Sequence, residues 1–395
     1  MTEILNITVV LLVFVLLIRR KCNVGYVLLI ASAMLFALYK TPIVQIWQTA
    51  WKTMITPVTF ELVITLTFIR MIEMILRKEN ALQEMMNTVK AMLKKRKYVL
   101  MLIPFIVGML PSIGGAYFSC PLVEEAATNT TIDKNKRAFI NYWFRHPWEL
   151  FSPVYPGVIL ASAITGIGMK TFMLMNAVYG LAMLVFGLLA GMNGIAGNYA
   201  VDKKPTLKDT INFLPIVLLF CFVIFFGISL SYSIVLVVIG MLLFYRYNLK
   251  KVIAVLKYGL APDVIILIVG VMFFKETLVS TNLVTNLNNY FIVSNTPVIS
   301  IVMLLPFVAG LLTGLSVGFV SISFPLLLHL PGMDAYSYSL AFAAGFTGVL
   351  LSPVHICLVL TRQYFNADFY QMYKKTIPLS LLILITALGE YMLFK

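Results

Sequence analysis

The chain has 395 residues, 61% of them hydrophobic and only 12% charged, with a formal net charge of +14. Soluble globular domains usually hold about 25% charged residues, so this composition excludes a water-soluble fold and describes an all-α polytopic membrane protein. The basic excess does not call for nucleic acid, because its distribution along the chain gives it another role.

The N-terminal run "MTEILNITVVLLVFVLLIRRK" places Glu3 where a signal peptide is basic, lacks a small-residue cleavage site, and carries its basic cluster after the apolar stretch. It reads as a retained first helix, 4–18, with its N-terminus outside. Further spans are expected at 24–39, 56–76, 138–169, 171–190, 211–230, 232–245, 260–280, 340–362 and 376–394. Two other apolar regions, 98–127 and 297–328, are each about 30 residues long and interrupted midway by Gly and small residues. Amphipathic stretches at 41–55 and 248–260 precede the spans 56–76 and 260–280.

Of the 30 Lys and Arg residues, 24 fall in 19–21, 77–97, 134–145, 203–208, 246–257 and 362–375. If these segments are cytoplasmic, the positive-inside rule holds throughout. That assignment requires 98–127 to enter and leave on the cytoplasmic side, and 297–328 to enter and leave outside. Both regions are therefore expected to be re-entrant helical hairpins. Anionic lipid headgroups on the cytoplasmic side can absorb the positive charge.

The two halves echo one another. "PFIVG" at 104–108 matches "PFVAG" at 306–310, and each precedes a small-residue tip, "PSIGGA" at 111–116 and "TGLSVG" at 313–318. Pro121 and Pro325 follow in the return arms. "LFSPVYP" at 150–156 and "LLSPVHI" at 350–356 then repeat Ser-Pro-Val within apolar sequence. A proline inside a helix removes a backbone donor and costs about 3 kcal/mol or more, so a duplicated break is a feature in use. The expected fold is an inverted-topology repeat with two re-entrant helical hairpins and two broken transmembrane helices. Such repeats put hairpin tips and helix breaks near the bilayer midplane, where half-helix N-termini attract anions and freed carbonyls attract cations.

Candidate substrate-binding residues are accordingly Ser112, Gly114 and Gly115 at the first tip, and Thr313, Gly314, Ser316 and Gly318 at the second. Ser152 and Pro153 at the first break join Ser352, Pro353 and His355 at the second. Glycine permits close backbone approach, and short hydroxyls contact ions of either sign. The bland alternative is that small residues only let helices pack closely. Candidate ion-coupling residues are Ser112, Thr313, His355, Glu124 and Glu149. Of these, His355 titrates near neutral pH and Glu149 lies just before the first break. Arg145 and His146 could approach the same site. Arg70 and Glu73, at i,i+3 spacing, are expected to pair with each other. Lys275 and Glu276 lie near a span end and can snorkel. The cysteines Cys22, Cys120, Cys221 and Cys357 show no CxxC and no metal-ligand spacing, and are expected to be buried spectators, so no metal site is called.

"GLSVG" at 314–318 is a literal GxSxG. With His355 downstream it raises a membrane-embedded serine hydrolase as the alternative from another class. The matching tip "PSIGGA" lacks the pattern, so no catalytic residue is assigned. A passive anion channel is a further alternative.

The stretches "PSIGGAYFSCPLVEEAA", "LLTGLSVGFVSISFPLL" and "LLSPVHICLVLTRQYF" resemble an uncharacterised prokaryotic integral-membrane family, a domain of unknown function within the ion transporter superfamily. Its relatives include permeases for dicarboxylates, citrate, gluconate, short-chain fatty acids and arsenite. The resemblance implies a scaffold domain and a transport domain, a homodimer, an elevator motion and frequent sodium coupling. Sodium-coupled dicarboxylate relatives carry Ser-Asn-Thr at each tip and break, whereas this chain has "PSIGGA", "TGLSVG", "SPVYP" and "SPVHI", so neither specificity is carried over.

The expected organisation is scaffold helices and a first arm over 1–97, a first transport half over 98–170, scaffold helices and a second arm over 171–296, a second transport half over 297–365, and a C-terminal helix over 366–395. The expected function is secondary active transport of a small anionic solute across the cell (inner) membrane, coupled to sodium or protons. No cofactor is called for beyond sodium as a coupling ion. The expected partners are the solute and membrane lipid, without nucleic acid.

Overall fold

The structure, a computed structural model, describes residues 2–20, 22–93, 95–111, 115–128, 130–198, 207–283, 286, 297–328 and 330–395. The first half begins with Thr2–Arg19 (α1), Val24–Leu38 (α2), Ile43–Ile55 (α3), Pro57–Lys78 (α4) and Ala81–Met92 (α5). A helical pair follows, Arg96–Val107 (α6) and Gly115–Ala126 (α7), and then Lys134–Trp143 (α8), Trp148–Phe151 (α9) and Pro156–Thr165 (α10). Met169–Phe186 (α11) runs on through a π turn at Gly187–Gly191.

The second half holds Leu214–Ile224 (α12), Leu230–Phe244 (α13), Leu249–Gly259 (α14) and Pro262–Ser280 (α15). A second helical pair, Val298–Thr313 (α16) and Ser316–Leu327 (α17), precedes Ala335–Leu350 (α18), Ile356–Phe365 (α19) and Phe369–Phe394 (α20). Among the described residues there is no strand, only an isolated bridge between Lys95 and Asn198. Met169–Gly191, Leu249–Ser280 and Phe369–Phe394 are long and apolar enough to cross a membrane. The chain is an all-helical, multi-pass membrane protein.

Local chemistry explains where helices begin. Asn23, Asp133, Asn248, Asp334 and Asp368 each accept a backbone N–H from the first turn of α2, α8, α14, α18 and α20. Pro57, Pro156 and Pro262 open α4, α10 and α15, where a missing N–H costs nothing. The second broken helix starts at Ala335, five residues before the expected 340, because Asp334 caps it. The first is interrupted twice, at Phe144–Pro147 and again at Ser152–Tyr155.

The bundle has an inner body and an outer layer. In α18 every residue from Ser337 to Leu350 is buried, and in α17 every residue from Gly318 to Leu327. A helix apolar and covered all round belongs at the centre of a body. By contrast α11, α13 and α20 leave large apolar side chains such as Leu181, Leu236, Leu243 and Ile385 exposed on their outer faces.

Packing is exchanged between the halves. α2 lies on α15 and α13 on α4, while α3 lies on α15 and α14 on α4. Inside, α10 packs on α17 and α19 on α7. Two of the closest crossings also correspond. A Cβ added at Gly108 would stand 2.1 Å from the Arg145 carbonyl oxygen, and one at Gly310 would stand 2.1 Å from that of Gly345. Each half thus joins its hairpin to its broken helix at a site where only glycine fits.

Contacts at the helix ends separate two sides. At one, Lys90 pairs with Glu125 at 2.8 Å, Tyr364 donates to Glu124 at 2.8 Å, Tyr247 donates to Glu79 at 2.9 Å, and the Arg96 amide donates to the Gly197 carbonyl at 3.2 Å. Residues of the basic segments 77–97, 246–257 and 362–375 meet there, together with both outer ends of the α6–α7 pair. At the other side Lys52 pairs with Glu276 at 2.8 Å, Gln45 donates to the Ser280 carbonyl at 2.8 Å, and Ser231 donates to Glu61 at 2.9 Å. Glu276 is therefore held by an ion pair to α3 instead of snorkelling alone.

Candidate functional site

The second hairpin turns within two residues. The Gly314 amide donates to Gly310 at 2.8 Å, and Gly314 takes the left-handed conformation at φ 65°, which glycine adopts without strain. The Thr313 hydroxyl donates to the Ala309 carbonyl at 2.7 Å and accepts the Leu315 amide at 3.4 Å. A Cβ on Gly314 would meet the His355 backbone nitrogen at 2.9 Å and the Ser352 Oγ at 3.0 Å, so tip and second break touch. A Cβ on Gly157 would meet the Ser316 Cβ at 2.8 Å, so the helix leaving the first break touches the same tip.

Two histidines meet at this junction. His146 lies in the turn after α8, and His355 is the residue before α19. Their Nε2 atoms are 2.9 Å apart. His146 Nδ1 faces the Tyr142 carbonyl at 2.5 Å and His355 Nδ1 faces the Gly314 carbonyl at 2.7 Å. The Glu149 carboxylate stands 3.8 Å from His146 Nε2. Arg145 is buried beside them and donates to the Val107 carbonyl at 3.4 Å. The Tyr155 hydroxyl donates to the Gly108 carbonyl, which ties the first break to the first hairpin.

Several of these groups form one wall of a cleft of about 530 Å³, with Glu149, Arg145, Tyr155, Gly314, Ser316, His355 and Cys357 in its lining. α4 and α15 supply the facing wall. There Arg70 donates to Asp263 at 3.1 Å and lies over the Tyr258 ring, 4.7 Å from its centroid, while Glu73 pairs with Arg77 at 2.8 Å. This corrects the expected Arg70–Glu73 pair. The i,i+4 partner takes Glu73, and α15 brings Asp263 across to Arg70.

Three helices, α10, α17 and α19, begin at this cleft, at Pro156, Ser316 and Ile356, and none has a side-chain cap. The amides of a first helical turn have no acceptor within their own helix, and the dipole adds partial positive charge there. Formal side-chain charges in the lining balance, three Arg against Glu73, Glu149 and Asp263. The electropositive contribution therefore comes from the helix ends.

Of the substrate-binding and ion-coupling candidates named from sequence, Gly314, Ser316, His355 and Glu149 line the cleft, as do Arg145, Arg70, Glu73 and Cys357. Ser152, Ser352, Thr313 and Gly318 are buried in the breaks and the second tip, Pro153 is buried and Pro353 exposed. Gly115 opens α7. Ser112 and Gly114 lie outside the described residues. Glu124 sits apart from the cleft, exposed, accepting from Tyr364 at the basic side.

The cysteines correct a further expectation. Cys22 is exposed in the turn before α2, and Cys221 is only partly covered. Cys357 is buried, but next to His146 and His355. Spacing could not show this, because His355 is only two positions away but His146 comes from a segment about 210 positions away. Arg70, Arg77 and Asp263 were also missed as a group, since they meet only when α15 packs on α4.

No curated protein matches the sequence. A family model described as "Protein of unknown function (DUF401)" matches residues 2–393, nearly the whole chain, and the protein belongs to that family.

Proposed function

We propose that the protein is a secondary active transporter for a small anionic solute, built as an inverted-topology repeat with two re-entrant hairpins, α6–α7 and α16–α17, and two broken transmembrane helices. One observation carries this reading. Three uncapped helix N-termini, contributed by both halves, converge with the buried Arg145 on a single cleft. Helix N-termini bind anions through free N–H groups and the dipole, and inverted repeats use them for this purpose. A volume of about 530 Å³ suits a small solute. The cleft lies between the inner body and α4–α15, which fits an elevator motion of one against the other, in a homodimer held through the outer layer.

The hydrolase alternative has less support. His355 directs Nδ1 at the Gly314 carbonyl and Nε2 at His146, so neither ring nitrogen is directed at the Ser316 hydroxyl as a base.

The test begins with a thermal-shift screen of purified protein against carboxylates and inorganic oxyanions, with and without sodium. A ligand at about a hundred times its Kd stabilises by about 2.7 kcal/mol. Uptake of any hit into proteoliposomes is then expected to rise under an imposed sodium or proton gradient. Uptake indifferent to both gradients would favour the passive channel, and the absence of any stabilising anion would remove the anion reading.

The basic side is proposed to face the cytoplasm, with the N-terminus outside. In intact cells, an impermeant thiol reagent is expected to label Lys52→Cys and not Lys90→Cys. The reverse pattern would invert the orientation.

A further inference from the structure

The histidine pair has an unusual hydrogen-bond requirement. Carbonyl oxygens only accept, so both Nδ1 atoms, each facing a carbonyl, must carry their protons. Neutral rings in that tautomer present bare Nε2 lone pairs to one another, and those atoms are 2.9 Å apart. Two lone pairs at this distance repel unless a cation lies between them. A shared proton would need only the two rings. Here a third soft donor is present, because the Cys357 Sγ and the two histidine nitrogens all lie within 4.8 Å of one another. Exposure is 0% for His146, 5% for His355 and 9% for Cys357, so the donors are shielded from competing water.

We propose that His146 Nε2, His355 Nε2 and Cys357 Sγ bind a zinc-class divalent cation, and that the Glu149 carboxylate, 3.8 Å from His146 Nε2, moves in as fourth ligand. Imidazole and thiolate are the ligands such borderline-soft ions prefer, in tetrahedral sets of four. Nδ1–H donated to a backbone carbonyl is the outer arrangement that fixes a ligating histidine in the required tautomer. With metal–nitrogen bonds of about 2.0–2.1 Å and a tetrahedral angle, the two Nε2 atoms would sit about 3.3 Å apart, so the rings need separate by only a few tenths of an ångström. The dication, one thiolate and one carboxylate sum to zero charge, which suits a site at membrane depth. Glu149, His355 and Cys357 line the cleft and give the ion a route in. Sodium is a poor occupant, since hard cations take oxygen ligands.

The site draws its two histidines from opposite halves of the chain, so a bound ion would bridge the two broken helices at their junction. Metal occupancy is read directly, and a failed transport assay leaves it standing.

Co²⁺ is the probe. Titrated into purified full-length protein, it is expected to bind with one-to-one stoichiometry, giving a thiolate-to-cobalt charge-transfer band and the d–d bands of a tetrahedral site, both displaced by Zn²⁺. Cys357→Ser should abolish the charge-transfer band and weaken Co²⁺ binding by more than about ten-fold, while Cys22→Ser leaves both unchanged. Should Cys357→Ser fail to fold, X-ray absorption of the zinc-loaded wild-type protein decides, with two imidazole nitrogens and one sulfur expected around the ion. A band that survives Cys357→Ser, an oxygen-only shell, or no retained metal would overturn the proposal.

Discussion

Gly108→Leu and Gly310→Leu are each expected to destabilise the protein by about 3 kcal/mol or more, to similar extents, although the residues lie in different hairpins. At both positions the added Cβ would stand 2.1 Å from a main-chain carbonyl oxygen, of Arg145 or Gly345. A buried backbone oxygen cannot swing aside as a long side chain can. The hairpin must instead lift off its broken helix, and interiors packed at crystal density transmit such a shift. The loss is read as the midpoint of thermal aggregation in detergent. Gly240→Leu and Gly389→Leu serve as controls, since no atom lies within 4 Å of an added Cβ there and changes should stay within about 0.5 kcal/mol. Tolerance of leucine at either crossing would contradict the equivalence of the two.

Arg145→Met is expected to eliminate both the anion-induced thermal shift and gradient-driven uptake. Arg145 is 2% exposed, and it is the arginine of the cleft that belongs to the inner body. Its removal unbalances a cleft whose formal side-chain charges otherwise cancel, leaves the buried Glu149 less compensated, and is therefore expected to destabilise the protein. Adding Glu149→Gln should recover much of that stability, because it removes the orphaned charge. Uptake should stay lost in the double variant, because the electropositive group is still missing. Arg145→Lys keeps the charge without the planar fork of donors and should bind the anion more weakly than wild type. Wild-type uptake by Arg145→Met would sink the assigned role.

The hairpins and breaks were legible because their signals are local. Proline and glycine act on the residues beside them, and the duplicated "PF" and "SPV" stretches mark the helix–turn–helix pairs α6–α7 and α16–α17 and the interruptions before α10 and α19. The Phe144–Pro147 interruption had a local signal as well, a His-Pro dipeptide that disfavours helix at residue 146. The chemistry of the cleft was far less legible. Arg70 meets Asp263 across 193 positions, and His146 meets His355 across 209. Neither pair is equivalent under the repeat. His146 corresponds to Phe346, and the two rings lie 6.5 Å apart. The duplicated motifs mark matching helix ends, and the site departs from that match where an ionisable side chain stands opposite an aromatic one, as His146 does to Phe346.

The exchanged packing of the inner body also constrains how the protein is made. α10 rests on α17, synthesised about 150 residues later, and α7 rests on α19, about 230 residues later still in the chain. Translation delivers the first half alone, with the unwound Ser152–Tyr155 segment and its uncapped helix lacking the surfaces that will bury them. Unpaired backbone is costly in lipid, and that segment gains its covering surfaces only when its counterpart has been made. The cleft begun around α4 and α8–α10 is completed only once α17 and α19 have been made.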